Sequence, residues 1–484
     1  MKIVRLSVLQ KLASKQDASS RSKKQRHIAE NAAILAGVGA TVPKVLEPFL
    51  GKEVKRYDPS KPVHIYYTDP ARGKGHYQQA QNIAKALKNK GVAYKLINVD
   101  EAFSSAEDLK DMSEKYKKRM SGELSASQWR KEWLRFYATK LDRGALVSSA
   151  NNAGAVIVTN SNVTPWLKGS KLPANVVISD PSKTFTDIPL GTSWTRAQDV
   201  KYVPRTAAGY KGKNVKTIDN VPLDPDTFKQ APSLGKMSDT TKFHVTLSGG
   251  GLGTDVDLMA KQLLESGTTT ANGKPVVFHA ISGGMQKSNP DAFKRLNALA
   301  AANPGRLVVH GNLKPEGARN LLQEAALNVM RPHGTMGSEA IVAKKPVMWV
   351  ARGGKDSAGN LKWAPGMNTN NAQKFSEITG LPIAGLGGKT TSSTLVDNFN
   401  TSLGDLGSVE KKVKKAASGF SDTATEIVED LQKKPRIYAP GKIPFSGRTA
   451  AAGGGLALAG LGYKVLRKKR QRSQTEKPKI PKIG

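Results

Sequence analysis

The stretch VMRPHGTMGSEAIVAKKPVMWV, residues 329–350, decides how this chain is read. Its two ends are apolar and strand-like, Val329-Met330 on one side and Val347–Val350 on the other. Between them lie a polar, glycine-bearing turn, Pro332 to Ser338, and a short apolar run that ends at Lys344-Lys345-Pro346. Strand, turn, helix and strand is the repeating unit of a parallel sheet. In such a unit the turn lies at the carboxyl end of its strand, and the helix after it opens with N–H groups that favour an anion. The turn is either simple punctuation or a seat for something negatively charged.

The same pattern extends outward in both directions. VHIYYT (63–68), AYKLINV (93–99), AVIVTN (155–160) and NVVISD (175–180) read as strands, and residues 78–90 read as a helix with Ile83, Ala84 and Leu87 on one face. After a Pro/Asp-rich stretch at 221–228 the pattern restarts with FHVTLSGGG (243–251), PVVFHAISGG (275–284), RLVVHGNL (306–313), ALNVMRPHG (326–334) and PVMWVARGG (346–354). Single cores stop growing at about 250–300 residues, so a chain of this length holds more than one. The expectation is two α/β domains in tandem, 61–235 and 236–385. Closing helices follow over 386–440, with Val413, Ala416, Ile427, Val428 and Leu431 on their apolar faces. Residues 1–60 and 441–484 read as extensions.

The chain has 484 residues, no cysteine and a formal net charge of +36. The absence of cysteine excludes structural disulfides, thiolate zinc sites and a cysteine nucleophile. The charge argues for a polyanionic neighbour: an anionic membrane, nucleic acid or clustered phosphates. Much of it lies at the ends, around Arg21–Arg26 and Arg467–Arg472, where a solvated tail is the plain alternative. Ile3, Leu6, Leu9 and Leu12 recur at helical spacing among basic residues, the pattern of a membrane-surface helix or an organellar transit peptide. Residues 32–46 and 449–463 are apolar but short for a bilayer span. Membrane association, peripheral or through these segments, is the expected localisation.

Three glycine turns fall at strand ends. The first, TDPARGKGHYQQA (68–80), opens a helix. Gly73 and Gly75 let the backbone approach a ligand, Arg72 and Lys74 add charge, and His76 stands at the mouth as a proton acceptor. The second, LSGGGLGTD (247–255), offers the amides of Gly249, Gly250 and Gly251 as an anion-binding nest. The third is the opening stretch, with its helix expected to start near Thr335 or Ser338. Thr335 can cap that helix and bond a phosphate, and Glu339 is expected in its first turn, where a carboxylate can accept sugar hydroxyls. In each case a ligand-free tight turn is the bland reading.

In order and spacing these turns resemble the GT-B glycosyltransferases. The likeness is greatest to the monogalactosyldiacylglycerol synthases and the peptidoglycan lipid-linked N-acetylglucosaminyltransferases, and it covers about residues 61–385. GKGHYQQAQNIAKAL, VVISDPSKTF, TIDNVPLDPDTF, SGGGLG, the whole of 310–350 and NTNNAQKF carry it. The resemblance implies two Rossmann-like domains facing a cleft. It also implies inverting transfer of a sugar from a UDP-linked nucleoside diphosphate to a membrane lipid or similar acceptor, with neither cofactor nor metal. It makes His76 the base, with Asp180 as runner-up. It places the departing diphosphate on Gly249–Gly251 and on Gly334, Thr335 and Ser338, gives hydroxyl recognition to Glu339, and counts Asn371 among the substrate-binding residues. The chain departs from the family where two glycines before the threonine are replaced by Pro332-His333, followed by Gly334; the His333 imidazole is expected to donate to a pyrophosphate. A glycosyltransferase with a nucleic-acid acceptor, and a catalytically degenerate protein that binds membrane or nucleic acid, are the competing readings.

Overall fold

The Val- and Ile-rich runs of the first half assemble into one sheet. Its strands are β1 (Val63–Tyr67), β2 (Tyr94–Asn98), β3 (Ala155–Val158), β4 (Ala174–Val177), β5 (Val200–Pro204) and β6 (Val215–Ile218). Their order is β2-β1-β3-β4-β5-β6, and every neighbouring pair is parallel. All residues of β3 and β4 are buried, which is why these strands read as unbroken apolar runs rather than as alternation. The computed structural model describes residues 52–68, 74–103, 105–121, 124, 128, 131–132, 135, 140–178, 198–205, 207, 214–229, 237, 239–364, 367–388 and 391–439.

The second half repeats the plan with β7 (Phe243–Ser248), β8 (Lys274–Ile281), β9 (Leu307–His310), β10 (Leu327–Met330), β11 (Val347–Ala351) and β12 (Ile383–Gly385). The order is β9-β8-β7-β10-β11-β12, again parallel throughout. Each sheet therefore has one place where the chain leaves a central strand in one direction and later returns on its other side. In the first sheet that switch point lies between β1 and β3, and in the second between β7 and β10. Open parallel sheets bind ligands at these points, outside the carboxyl ends of the strands.

Seven helices carry the rest of the account: α1 (Lys74–Asn89), α2 (Val256–Glu265), α3 (Pro315–Glu324), α4 (Gly334–Val342), α5 (Met367–Thr379), α6 (Leu406–Ala417) and α7 (Thr423–Lys433). The opening stretch is β10, turn, α4 and β11, as the pattern predicts. Two details differ. The helix starts at Gly334 with His333 at its N-cap, and no side chain caps it. Glu339 consequently falls in the second turn rather than the first.

The closing helices serve different halves. Val409, Val413 and Ala417 of α6 pack with Ile341, Trp349 and Phe375 of the second half. Ala424, Ile427, Val428 and Leu431 of α7 instead join Ile83 and Leu87 of α1 under the first sheet. Asp422 caps α7 by accepting from the Thr425 N–H at 3.1 Å. Asp430 on the same helix accepts from the Tyr202 hydroxyl at 2.6 Å and from Arg56 Nη1 at 2.9 Å, and it also pairs with Lys216. Arg56 is wholly buried, and its Nε donates to Asn175 Oδ1 at 2.6 Å. Two parallel sheets in tandem, with the last helix returned to the first, form the GT-B architecture that the sequence resemblance implies. Among the described residues no helix is long and apolar enough to cross a membrane. The extensions 1–50 and 441–484, including the apolar segments 32–46 and 449–463, lie outside the described residues.

Candidate functional site

At the switch point of the first sheet, His76 is the third residue of α1. Its Nδ1 lies 2.8 Å from the Thr159 carbonyl oxygen in the turn after β3. A carbonyl can only accept, so Nδ1 carries a proton, which in the neutral ring is the Nδ1–H tautomer. The Thr159 hydroxyl returns a bond to the His76 carbonyl at 2.9 Å, and Asn160 Nδ2 donates to Thr68 Oγ1 at 3.2 Å. These bonds hold the loops after β1 and β3 together and fix the imidazole in the tautomer a general base needs. Gly75 is the second residue of the same helix, and a Cβ there would meet nothing within 4 Å. Arg72, Gly73 and Asp180 lie outside the described residues.

At the switch point of the second sheet the loop after β7 is tightly wound. The Gly253 N–H donates to the Gly250 carbonyl at 2.9 Å and the Thr254 N–H to Gly249 at 3.1 Å. A Cβ on Gly249 would run into the Thr254 carbonyl, and Gly250 has φ +76°, so both glycines are required by the turn itself. The expected row of open amides is therefore shorter than three glycines suggest. Among the described residues the Gly251 and Leu252 N–H groups meet no protein acceptor, and both residues are partly exposed.

The turn after β10 lies against this loop. The Arg331 N–H donates to the Ser248 carbonyl at 2.8 Å, and the His333 ring covers Gly250 so closely that a Cβ there would strike it. In α4 the Gly337 N–H reaches back to the His333 carbonyl at 2.8 Å, which leaves the amides of 334–336 at the open helix end. The Ser338 hydroxyl donates to the Gly334 carbonyl at 2.8 Å, and Ser338 is buried, so this side chain serves its own helix. The Thr335 hydroxyl remains at the mouth.

Burial and the nearby Arg331 charge push the His333 imidazole down to about 4, so it is neutral at pH 7. Its Nε2 is buried without a partner. The Gly249 backbone beside the ring opposes the downward shift.

Three side chains that the sequence reading did not single out complete this corner. Asp255, in the left-handed region at φ 65°, pairs with Arg331 and accepts from Arg352 Nε at 3.0 Å. Arg331 and Arg352 each stand just after the carboxyl end of a strand, β10 and β11, and the Arg352 side chain is 42% exposed. The cluster of two arginines and one aspartate keeps one net positive charge. The available signal was position: both arginines are the first charged residues after their strands.

The two switch points are joined. Gln79, one helical turn beyond His76 on α1, donates from Nε2 to Thr335 Oγ1 at 3.4 Å. Residues three apart on a helix share a face, so Gln79 and His76 lie on the same side of α1. Behind this contact, Lys85 of α1 pairs with Asp224 at 2.8 Å, and Asn82 Nδ2 donates to the Pro222 carbonyl at 3.1 Å. Arg319 of α3 reaches the Thr227 hydroxyl at 3.2 Å and Asp224 at 3.5 Å. Glu339 lies beside this network. Burial pushes its carboxyl up to about 7, with Arg319 opposing the shift and Asp224 adding to it. Asn371, on α5, is 1% exposed, and its Oδ1 has no partner.

The strand orders, the returning helix and the paired switch points define a GT-B fold with its candidate site between two Rossmann-like halves. Solved structures with a similar chain path include MurG of Acinetobacter baumannii, at 17% identity and TM-score 0.45, covering 77% of this chain and 100% of that one. The UDP-GlcNAc 2-epimerase of Neisseria meningitidis bound to UDP-GlcNAc is similar at 12% identity and TM-score 0.47, covering 77% and 100%. The MnaA–UDP structure from S. aureus stands at 12% and 0.48, covering 77% and 96%. These are likenesses of backbone arrangement. No protein-family model matches the chain, and no curated protein matches it in sequence.

Proposed function

We propose that this chain is an inverting glycosyltransferase that moves a sugar from a nucleoside diphosphate, UDP in particular, to a membrane lipid or similar acceptor. The observation that carries the reading is the Gln79–Thr335 contact. It supports a site in which the His76 base of one switch point would face the proposed anion seat of the other. The seat consists of the Gly251 and Leu252 amides, the open N-terminus of α4 with the Thr335 hydroxyl, and the Arg331–Arg352 charge. Donors aimed at a departing diphosphate stabilise the charge that develops as the glycosidic bond breaks. His76 Nε2, its tautomer set by Thr159, would take the proton from the acceptor hydroxyl as that oxygen attacks the anomeric carbon. Glu339, as the carboxylate, would accept hydroxyl hydrogens of the ribose or sugar.

The lipid acceptor and a membrane location rest on the net charge of +36 and on the basic, partly apolar ends. The test is a transfer and hydrolysis screen over nucleotide sugars with wild type and His76→Ala. The variant should lose transfer by roughly 100-fold or more while keeping nucleotide affinity. Normal turnover by His76→Ala would remove His76 from the chemistry. A second reading, a binding protein without turnover, is favoured by one observation: the His333 ring covers Gly250, the residue before the Gly251 amide of the seat. Nucleotide binding with no transfer or hydrolysis for any sugar would select it.

A further inference from the structure

Three of the seven histidines lie in one row across the second sheet. His244 is on β7, His279 is on β8, and His310 ends β9. The register pairs His244 with Val277, His279 with Val308 and Ile281 with His310. Each histidine thus stands two residues further along its strand than the one before. Side chains two apart on a strand share a face, so all three lie on one side of the sheet. The same side carries Ile281, which packs with Met237, Leu321 and Ala325. His244 and His279 are buried. Apolar side chains would fill such a face without the cost of desolvating ring nitrogens.

The nitrogens are joined end to end. His244 Nε2 lies 3.0 Å from the Asp239 carbonyl oxygen, His244 Nδ1 2.9 Å from His279 Nε2, and His279 Nδ1 3.0 Å from His310 Nε2. A carbonyl only accepts, so His244 Nε2 carries a hydrogen. With no extra proton, His279 Nε2 then donates to His244 Nδ1, and His310 Nε2 donates to His279 Nδ1. Each of the three contacts holds one hydrogen, which accounts for three neutral imidazoles. A fourth hydrogen fits only if the outer nitrogen, His310 Nδ1, carries one. A fifth sets N–H against N–H and breaks a ring-to-ring contact.

We propose that His244, His279 and His310 form a one-proton switch, which locks β7, β8 and β9 together with at most one extra proton and unlocks them in acid when a second is forced on. The segment entering β7 belongs to the lock through the Asp239 carbonyl. The loop after β8 lies against it. There the His310 carbonyl accepts from the Ser282 N–H at 2.9 Å and from its hydroxyl at 2.8 Å, and the Gly284 N–H donates to the Gly251 carbonyl at 2.8 Å. Nearby charges are engaged elsewhere. The Asp239 carboxylate pairs with Lys242, Arg319 of α3 pairs with Asp224, Lys274 donates to the Thr240 carbonyl, and Glu324 accepts the Met237 N–H. Lys314 and Glu316 are exposed. Burial, then the charges of His310 and His244, hold the central His279 imidazole down at about 3. Unfolded, each imidazole takes its own proton near pH 6.5. Below that pH the unfolded chain binds three protons here and the folded chain at most one. The stability this row confers is therefore full above pH 6.5 and is lost as pH falls.

The experiment uses the full chain with 15N-labelled imidazoles, whatever the cleft binds. At pH 8, NMR of wild type should show 15N–15N couplings across two imidazole pairs, with Nε2–H in all three rings. Down to pH 5 no more than one imidazolium should appear among them. Uncoupled rings, or two rings of the row that titrate in the folded chain, overturn the proposal. Chemical denaturation is then followed from pH 7 to pH 5 in wild type and His279→Gln. Glutamine offers an amide N–H to one neighbour and a carbonyl to the other, but takes no proton. The ratio of unfolding constants, wild type over variant, should rise roughly tenfold for each pH unit below 6.5. A flat ratio means that the folded row takes its second proton freely, and overturns the proposal as well. If His279→Gln does not fold, the couplings and the imidazolium count of wild type still decide.

Discussion

Glu339→Gln gives the most quantitative prediction, because the carboxyl has a stated environment on every side. Its ordinary value of 4.5 rises to about 7 in the fold, chiefly through burial, with Arg319 opposing and Asp224 adding. The sign follows from which state holds the proton. Below pH 4.5 both folded and unfolded chains are protonated at this residue, and its contribution is fully present. Between 4.5 and 7 the unfolded chain releases a proton that the folded chain keeps, so stability falls as pH rises, levelling off above 7. At about 1.4 kcal/mol per unit, and allowing for the partial exposure of Glu339, the loss is about 2–3 kcal/mol. Glutamine keeps the shape and does not titrate. The difference in thermal midpoint between Glu339→Gln and wild type should therefore grow in favour of the variant by a few degrees from pH 5 to pH 8. Other titrating groups cancel in that difference. A difference that stays constant over the range would refute the placement of Glu339 as a desolvated carboxyl. The functional counterpart uses the same residue: if the carboxylate accepts hydroxyls, affinity for a nucleotide sugar rises through pH 7 in wild type and stays flat in the variant.

The remaining predictions concern the frame. Ile427→Ala on the returning helix, a residue 1% exposed, should cost about 2–5 kcal/mol in chemical denaturation; a cost below 1 kcal/mol would mean α7 is not part of the first core. Gly250→Ala should destabilise the fold by about 1–2 kcal/mol from its positive φ alone, with more from the His333 clash. Adding His333→Gly should remove the clash and leave the φ cost, so the two effects should be non-additive; simple additivity would show that the ring does not rest on Gly250.

The parallel sheets were legible because buried strands read as unbroken apolar runs, each stopped by glycine or a polar residue. β7, β10 and β11 could be marked from residues 243–251, 326–334 and 346–354 alone. The three turns were legible for the same reason, since they stand at strand ends. The strand orders were not, because order depends on where each crossover lands and not on any one segment. The start of α4 was misplaced because Thr335 is the better capping residue. The backbone of the Pro332–Gly334 turn becomes helical earlier and leaves His333 at the cap without a side-chain bond. Gln79, Arg319 and Asp224 gain their meaning only from contacts between segments 92 to 256 residues apart. The burial of the His333 ring was out of reach for a similar reason: the Gly250 backbone it covers belongs to another turn. Arg331 and Arg352 could have been found by asking which charge follows each strand of the switch point.

The central claim is that the second switch point holds a nucleoside diphosphate. Calorimetric titration of the full chain with UDP tests it most directly, with Thr335→Val as the internal control. Saturable one-to-one binding is predicted, weakened roughly tenfold or more by loss of the Thr335 hydroxyl from a charged oxygen. Absence of binding for UDP and every other nucleoside diphosphate, or binding that Thr335→Val leaves untouched, would contradict it.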